Sequence, residues 1–398
     1  MNRIGNLVNL NQECKNIFNL IYKKGPLTKN AIIDATNIKL TKLNRLMDPL
    51  EEAKLIIESS VGDSTGGRKP ILYDVNQQDY LVIGIDLSRT YTKIVITNLK
   101  MNILNSDQFL MDETDSPEKT VKMICKSVEN MLQEMHSNRE MFLGVGIGTV
   151  GPLDREKGII LNPSNFSGVG WINVPIKELL ENGIHLPAFV DNGANTAALV
   201  EYLFGKGKDF TNIVYFNCGI GIRTGAIAEG KIVRTINDDE DAFGHMTIDV
   251  DGERCSCGNF GCIECYSSIV SILTKFTAAL KKGRTSVITK PFDKITYVDI
   301  CSAAEDGDEL AKEIITSAAT VFGAGLANYI NLLNPGLVIL SGPLINHSSL
   351  FYGVSKNVTL KKLYSQIKPN IIFHKGGYFG DNAIAIGAAA MAIENYLL

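Results

Sequence analysis

The chain has 398 residues, of which 45% are hydrophobic and 21% are charged, and its formal net charge is −4. This composition is typical of a folded protein with two or three domains and argues against an intrinsically disordered chain. No run of about 18 uncharged apolar residues is present, and the N-terminal residues are too polar for a signal peptide. We therefore expect a cytoplasmic protein without a membrane partner. Its eight cysteines fit a reducing compartment, where clustered thiols bind metal more often than they form disulfides.

Charge is distributed unevenly along the chain. Residues 1–75 carry eleven Lys or Arg and eight Asp or Glu, a net charge of +3, which leaves −7 for the remainder. A basic N-terminal unit on an acidic body is the asymmetry expected of a small nucleic-acid-binding domain joined to a larger module. The excess is modest, so this interpretation depends on the motif that the same residues predict.

The N-terminal region predicts three short helices. Residues 12–24 place apolar side chains at helical spacing, and a second helix follows with Thr28 as its expected N-cap. Residues 40–52 offer four apolar side chains to a core, and the tight turn before them predicts a helix-turn-helix. Pro49 lies inside this third helix and removes one backbone hydrogen bond, so we expect the helix to bend there or to end early.

Two β-prone segments, residues 55–60 and 71–75, bracket a glycine-rich loop and add a wing to the helix-turn-helix. In such a domain the third helix enters the major groove, and basic residues on the wing follow the minor groove. The alternative is a solvated, mildly basic helical domain that does not bind DNA. The side chains that we expect to contact base edges or phosphates are Lys42, Asn44 and Arg45 on the third helix and Arg68 and Lys69 on the wing loop.

From residue 80 the pattern changes to two similar α/β units. Three strands separated by turns begin near residue 81, and a similar meander begins near residue 212. Two such units covered by helices predict two lobes with a cleft between them. The predicted helices are 117–136, one after Asn195, 268–281, 298–304, 309–333 and 382–396, and further strands are 142–151, 337–341 and 371–374. The predicted domains are a DNA-binding domain at 1–78, a small lobe at 79–192 completed by the C-terminal helix 380–398, and a large lobe at 193–379.

Four of the eight cysteines fall within eleven residues and form the most distinctive motif of the chain. His245 precedes Cys255, and Cys257 and Cys262 follow it at close spacing. One imidazole and three thiolates would fill a tetrahedral Zn²⁺ shell and leave no position for a reacting water, so the site is predicted to be structural. We expect zinc to be held by His245, Cys255, Cys257 and Cys262, with Cys265 outside the shell. The alternative is a small core of reduced thiols.

These motifs resemble the ROK family, named for repressors, open reading frames and sugar kinases, over essentially the whole chain. The resemblance is carried by the pattern His-x9-Cys-x-Cys-Gly-x2-Gly-Cys-x-Glu, from His245 to Glu264, and by the winged helix that ends in Gly-Gly-Arg-Lys-Pro at 66–70. ROK kinases lack the winged helix, whereas ROK repressors carry it. The resemblance therefore implies an α/β fold in which a winged helix-turn-helix precedes a two-lobed actin-like, ribonuclease H-like domain of the sugar-kinase type.

The resemblance also predicts that kinase activity has been lost. ROK kinases hold nucleotide phosphates on two glycine-rich loops, and the matching segments here carry Arg89 and Arg223 where glycines are expected. The catalytic base of the family is the Asp of an Asn-Asp-x-Asn motif, and Gly193 stands at that position. Phosphoryl transfer needs backbone amides around the phosphates and a carboxylate that accepts the hydroxyl proton. Glycine has no carboxylate to accept the proton, so we expect a protein that is not an enzyme.

Sugar binding is a separate expectation, since it needs only convergent polar groups in a cleft. The resemblance carries the sugar contacts of the family onto Asn192, His245 and Glu264, with Asn165 on a nearby loop. His245 would ligate zinc through one ring nitrogen and donate the other N–H to a sugar hydroxyl. The Glu-x-Gly-His motif of the family begins here with Ala242, so the sugar would be bound differently or weakly, or replaced by another ligand. Alternatively, Asn192 and Glu264 only cap or brace the zinc loop.

The leading hypothesis is a homodimeric or homotetrameric repressor of carbohydrate uptake or catabolic genes. It would bind double-stranded operator DNA and respond to a monosaccharide or sugar derivative in the cleft. Two alternatives are an ATP-dependent sugar kinase of the ROK type with a DNA-binding appendage, and a regulator controlled by a protein partner with a vestigial cleft.

Overall fold

The structure is a computed structural model of the chain. It describes residues 10–61, 70–163, 166, 168–234, 243–364 and 371–397. Over these ranges the chain forms a winged helix followed by two α/β lobes, each built on a five-stranded sheet. The fold class predicted from the sequence is confirmed.

The N-terminal domain contains the three predicted helices, α1 (Gln12–Lys24), α2 (Lys29–Thr36) and α3 (Leu40–Glu52). Thr28 caps α2, because its hydroxyl accepts a hydrogen bond from the backbone N–H of Ala31 at 3.1 Å. This cap satisfies a backbone donor that the helix itself leaves unpaired. The predicted cap is therefore confirmed.

The wing is a three-stranded sheet whose strands are β1 (Leu27–Thr28), β2 (Ile56–Val61) and β3 (Ile71–Val75), in the order β1-β3-β2. Pairing of β1 with β3 ties the turn before α2 to the wing. The wing loop with Arg68 and Lys69 lies outside the described residues.

Pro49 does not end α3, which continues to Glu52. The expected early end is wrong, because the apolar face of this helix packs into the domain core and outweighs the hydrogen bond that proline removes. The buried residues of α3 are Leu43, Leu46, Met47 and Leu50.

The two lobes contain the remaining elements. Their strands are β4 (Leu81–Leu87), β5 (Tyr91–Asn98), β6 (Ile103–Leu110), β7 (Phe142–Thr149), β8 (Leu153–Asp154), β9 (Ile159–Ile160), β10 (Ala188–Asn192), β11 (Ile213–Cys218), β12 (Ile222–Ala228), β13 (Lys231–Ile232), β14 (Leu337–Ser341) and β15 (Ile372–Lys375). Their helices are α4 (Pro117–Glu134), α5 (Ile176–Ile184), α6 (Gly193–Phe204), α7 (Glu264–Ser267), α8 (Ile269–Lys281), α9 (Tyr297–Glu305), α10 (Glu309–Leu333), α11 (Pro343–His347), α12 (Ser349–Lys362) and α13 (Ala383–Leu397).

The sheet of the small lobe has the order β10-β7-β4-β5-β6, with parallel pairing of β10 with β7 and of β7 with β4. The C-terminal helix α13 lies directly on this sheet. A Cβ on Gly84 would stand 2.0 Å from the carbonyl oxygen of Ala385, and one on Gly146 would stand 1.8 Å from that of Ala388. These glycines permit a contact between helix and sheet that any side chain would prevent.

The sheet of the large lobe has the order β13-β12-β11-β14-β15. Helix α6 packs between the two lobes. A Cβ on Gly225 of β12 would stand 2.1 Å from the carbonyl oxygen of Ala194, and one on Gly387 of α13 would stand 1.9 Å from that of Thr196. Helix α6 therefore contacts the large lobe on one face and the C-terminal helix on the other.

The sequence predicted most helices of the lobes to within two residues, and α10 and β14 match their predicted bounds. The helix expected after Asn195 begins at Gly193, and Asn192 is its cap. Helices α5, α7, α11 and α12 and strands β8, β9 and β10 were not predicted.

Helix α10 is long and apolar enough to cross a membrane by length and composition alone. Over half of that window, 56%, is buried inside the structure, and α10 packs against α12 in the core of the large lobe. Core helices of globular domains have this same composition, so α10 is a core helix.

The winged helix packs firmly on the lobes. Tyr22 of α1 lies edge-to-face on Phe204 at the end of α6, with ring centroids 5.0 Å apart. Lys100, in the turn between β5 and β6, forms a 2.7 Å ion pair with Asp74 of β3 and donates to the carbonyl of Gly25 at 3.2 Å. One continuous hydrophobic cluster joins α1 to α6 and α13. The winged helix is therefore held by a packed interface.

Candidate zinc centre and interlobe cleft

The four predicted metal ligands converge. One ligand atom from each of His245, Cys255, Cys257 and Cys262 lies within 4.8 Å of every other. The sulfurs of Cys257 and Cys262 are 3.8 Å apart, and Nδ1 of His245 is 3.6 Å from the sulfur of Cys255. Tetrahedral bonds of about 2.3 Å to sulfur and 2.0–2.1 Å to nitrogen require separations of about 3.8 and 3.5 Å. This donor set therefore fits zinc.

Two glycines shape the ligand loop. Gly258 has φ of 95° and Gly261 has φ of 65°, which is the left-handed region that favours glycine. A Cβ on Gly261 would also stand 1.6 Å from the carbonyl oxygen of Asp249. The turn that places the cysteines therefore depends on these residues, as the spacing predicts.

The cysteine thiols of this loop interact with one another. Burial raises the pKa of the Cys255 thiol, but hydrogen bonds from the Cys257 backbone and from neighbouring thiols outweigh it and bring the pKa down to about 7. Burial, together with hydrogen bonding to Cys255, raises the pKa of Cys265 to about 12. The cluster thus favours a thiolate at Cys255, which is the form that binds metal.

Glu264 links the metal loop to the cleft. Its Oε2 accepts the backbone N–H of Ile222 at 3.0 Å, and that residue opens β12 in the second predicted phosphate loop. A Cβ on Gly221 would stand 2.7 Å from Oε2 of Glu264 and 3.1 Å from Nη1 of Arg89. Arg89, from the small lobe, therefore lies beside a proposed sugar contact of the large lobe.

Asn192 is fully buried and caps α6. Its Oδ1 accepts the N–H of Ala194 at 2.9 Å. The alternative considered from the sequence was that Asn192 braces the zinc loop, whereas the element that it caps is α6. His245 and Glu264 are partly exposed, and the backbone N–H of Glu264 donates to the carbonyl of Gly244, next to His245, at 2.9 Å. Asn165 and Ala242 lie outside the described residues.

One cross-lobe ion pair was missed by sequence reasoning. Asp191, at the end of β10, is 1% exposed and accepts two hydrogen bonds from Arg234, which follows β13, at 3.0 and 2.5 Å. Asn195 donates to the same carboxylate at 3.2 Å. A bidentate guanidinium–carboxylate pair is strong and directional, so it fixes one lobe against the other. The two residues are 43 positions apart, and no local pattern connects them.

The segments that match the kinase phosphate loops are filled by arginines. Arg89 is 4% exposed and Arg223 is 7% exposed. Arg223 lies across the cleft from Asp86, whose carboxylate accepts a 2.8 Å hydrogen bond from the Tyr91 hydroxyl. Burial raises the pKa of Asp86 to about 6, although Tyr91, Arg223 and Lys93 oppose that rise. The two segments that match the kinase phosphate loops therefore each carry a buried arginine in place of a glycine.

The three predicted DNA-contacting residues of helix α3 differ in their exposure to solvent. Arg45 is exposed, whereas Lys42 and Asn44 are half-buried. Lys42 forms an ion pair with Glu13 of α1, and Asn44 accepts a 2.8 Å hydrogen bond from Lys29 of α2. Among the three predicted contacts on α3, Arg45 is therefore the most exposed.

The winged helix, the two-lobed sugar-kinase-type fold and the ligand cluster together define a class: a sugar-kinase-like domain joined to a DNA-binding domain. A model of the ROK family matches residues 82–395. The chain belongs to the ROK family.

Relatives with similar sequences align with more than nine-tenths of this chain. The xylose repressor of Caldicellulosiruptor bescii is 30% identical over 376 residues, which cover 92% of this chain and 93% of that protein. The xylose repressor of Bacillus subtilis (strain 168) is 27% identical over 95% of this chain and 94% of its own. A solved ROK family transcriptional regulator, a homolog of the E. coli MLC protein, superposes with a TM-score of 0.81 at 24% identity, covering 97% of this chain and 96% of its own.

Proposed function

We propose that this protein is a cytoplasmic transcriptional repressor of carbohydrate uptake or catabolic genes that responds to a sugar. The observation that carries the proposal is the winged helix packed onto a ROK domain, in a chain that aligns over more than 90% of its length with xylose repressors. A gel shift with the promoter DNA that flanks its own gene tests it. The expected result is a shifted band that weakens as salt is raised, since phosphate contacts release counterions.

Two copies acting together would place paired α3 helices in successive major grooves about 34 Å apart. We propose a homodimer or a pair of dimers on double-stranded operator DNA. Light scattering of the free protein and of its operator complex checks this assembly, and a monomer on the DNA would contradict it.

We propose that the protein has no kinase activity. Gly193 offers no carboxylate, and a Cβ there would stand 3.1 Å from the Ile384 side chain, so the position is also crowded. Arg89 and Arg223 occupy the phosphate segments. A coupled ATP assay over hexoses, pentoses and amino sugars is expected to show no turnover, and sugar-dependent ADP formation would support the kinase alternative.

Zinc would have a structural role, held by His245, Cys255, Cys257 and Cys262. When bound, it fixes the loop that carries Glu264 and leaves Nε2 of His245 on the opposite edge of the ring. Metal analysis is expected to find one zinc per chain, and Cys257→Ser is expected to lose it. Protein that is folded and free of zinc would contradict this assignment.

The effector would bind between the lobes, against His245 and Glu264. Asn192 is fully buried here, so a ligand reaches it only when the lobes separate. A ligand shifts this equilibrium by its difference in affinity for the two arrangements. Thermal-shift screening of monosaccharides and their phosphates is expected to give one responding compound, whose effect Glu264→Gln weakens.

The burial of Asn192 favours one second candidate, a regulator controlled by a protein partner with an unused cleft. No thermal shift with any compound, combined with intact operator binding, would support this alternative over sugar control.

A further inference from the structure

The metal loop contains a further cysteine, Cys265, that lies outside the ligand cluster. Cys265 is in the first turn of α7, and its backbone N–H donates to the carbonyl of Cys262 at 3.0 Å. Its thiol interacts with that of Cys255, and both residues line the same cavity. Cys255 is therefore both a predicted metal ligand and a neighbour of a further thiol.

A cavity of about 270 Å³ opens beside both thiols. Residues that line it include Cys255, Cys265, Glu264, Ser271 and Lys275. Cys265 is half-buried, and the Ser271 hydroxyl holds its backbone by donating to the Cys265 carbonyl at 2.5 Å. Both cysteines therefore line one cavity large enough for a small oxidant, and the backbone of Cys265 is held in place.

We propose that Cys255 and Cys265 form a redox-sensitive pair that releases zinc when a peroxide oxidises it. Hydrogen peroxide transfers one oxygen to the Cys255 sulfur, giving a sulfenic acid and one water. The Cys265 sulfur then attacks the Cys255 sulfur, the S–S bond forms, and the sulfenic hydroxyl leaves with the thiol proton as a second water. Two electrons pass from the two sulfurs to the peroxide.

The disulfide removes one of four ligands, so zinc affinity falls. Loss of the metal frees the segment from His245 to Glu264, which forms the wall of the cleft. This inference rests on the proposed zinc centre, and it adds control by oxidants to control by a sugar.

The test uses the purified full chain loaded with zinc, whose metal content is measured first. Hydrogen peroxide is added, zinc release is followed with a chromogenic chelator, and disulfides are mapped by mass spectrometry of non-reduced peptides. We expect release of the bound zinc together with a Cys255–Cys265 linkage. Dithiothreitol with added zinc is expected to restore the metal content.

Two variants make the outcome specific. Cys265→Ser is expected to bind zinc as the wild type does but to form no such linkage and to release zinc several-fold more slowly. Cys125→Ser, which changes a half-buried thiol of α4 in the small lobe, is the matched control and is expected to behave as the wild type.

Equal release rates for Cys265→Ser and the wild type would overturn the proposal, as would a dominant Cys257–Cys262 linkage. Protein that holds no zinc before oxidation would overturn it as well. Operator binding by the same preparation is measured separately, so failure of the redox pair and failure of the repressor proposal are distinguishable.

Discussion

Asp86 illustrates how burial in the cleft makes stability depend on pH. Its pKa in the folded protein is about 6, raised from 3.8 by burial. The folded state therefore binds more protons than the unfolded state between about pH 4 and pH 6, so stability falls as pH rises through that window. A shift of this size corresponds to roughly 1–3 kcal/mol, fully lost above the folded pKa.

Asp86→Asn is expected to remove this dependence while keeping an acceptor for the Tyr91 hydroxyl. Between about pH 4.5 and pH 7.5 the wild type should lose unfolding free energy that the variant does not lose. The variant should therefore gain roughly 1–3 kcal/mol in stability relative to the wild type over this range. Urea unfolding at the two pH values measures this. Asp293→Asn, at an exposed position, is the control, and parallel pH profiles for Asp86→Asn and the wild type would contradict the prediction.

Glu201 of α6 is a fully buried carboxylate with a structural role. Its Oε1 accepts the N–H groups of Tyr378 and Phe379 at 2.6 and 3.0 Å, and its Oε2 accepts that of Lys206 at 3.0 Å. Charge-assisted bonds of this kind offset the cost of burying the carboxylate. They tie α6 to the loop after β15.

Glu201→Gln is expected to lower the unfolding free energy by about 1–3 kcal/mol, because the amide has one acceptor oxygen and leaves at least one of these three N–H groups without its charged acceptor. Chemical denaturation measures the loss. Glu156→Gln, on an exposed turn, should change stability by less than about 0.5 kcal/mol. A Glu201→Gln variant as stable as that control would show that these bonds contribute little.

The site residues that the sequence predicted are those close together along the chain. Cys255, Cys257 and Cys262 are set by local spacing, and the structure brings them together with His245. Asp191 and Arg234 form a bidentate ion pair between the lobes, yet each is an ordinary charged residue in its local sequence. Their pairing depends on how two sheets are placed, which no short pattern records.

Helix α6 physically joins the cleft to the DNA-binding domain. It begins at its cap Asn192, beside the pair of Asp191 with Arg234, and ends at Phe204 against Tyr22 of α1. Its twelve residues span about 18 Å as a rigid rod. One packed helix therefore connects the region between the lobes to the winged helix.

Phe204→Ala is expected to weaken this junction by about 1–3 kcal/mol, because a half-buried ring is lost from the shared cluster. In the wild type, the fluorescence of Trp171 in the small lobe and hydrogen exchange of α1 should report one unfolding midpoint in urea. In Phe204→Ala the α1 midpoint should fall below that of Trp171. Tyr22→Phe keeps the ring and should retain coincident midpoints. Separate transitions already in the wild type would contradict a rigid junction.

Helix α12 shows why an element escapes sequence prediction. Its buried residues are Phe351, Ser355 and Thr359, so two of three core positions are hydroxyls and the apolar periodicity is lost. Ser355 and Thr359 instead donate to the carbonyls of Ala319 and Gly323 of α10, at 3.3 and 3.0 Å. Close helix packing through small polar residues leaves no hydrophobic pattern to find.

Across the whole molecule, charged side chains of the protein itself lie between the two lobes. Arg234 pairs with Asp191 across the lobes, Arg89 reaches the wall formed by Glu264, and Arg223 faces Asp86. Three arginines therefore each lie close to a carboxylate of the other lobe.

The most direct test of the central claim, that the protein is a DNA-binding regulator, is fluorescence anisotropy with labelled promoter DNA from its own gene, using the full zinc-loaded chain and Arg45→Ala. The account predicts saturable wild-type binding whose affinity falls steeply with salt. It also predicts at least about tenfold weaker binding for Arg45→Ala, with an unchanged melting temperature because Arg45 is exposed. Two results would contradict this account. One is folded wild-type protein that shows no salt-sensitive binding at micromolar concentration, and the other is an Arg45→Ala variant that binds as tightly as the wild type.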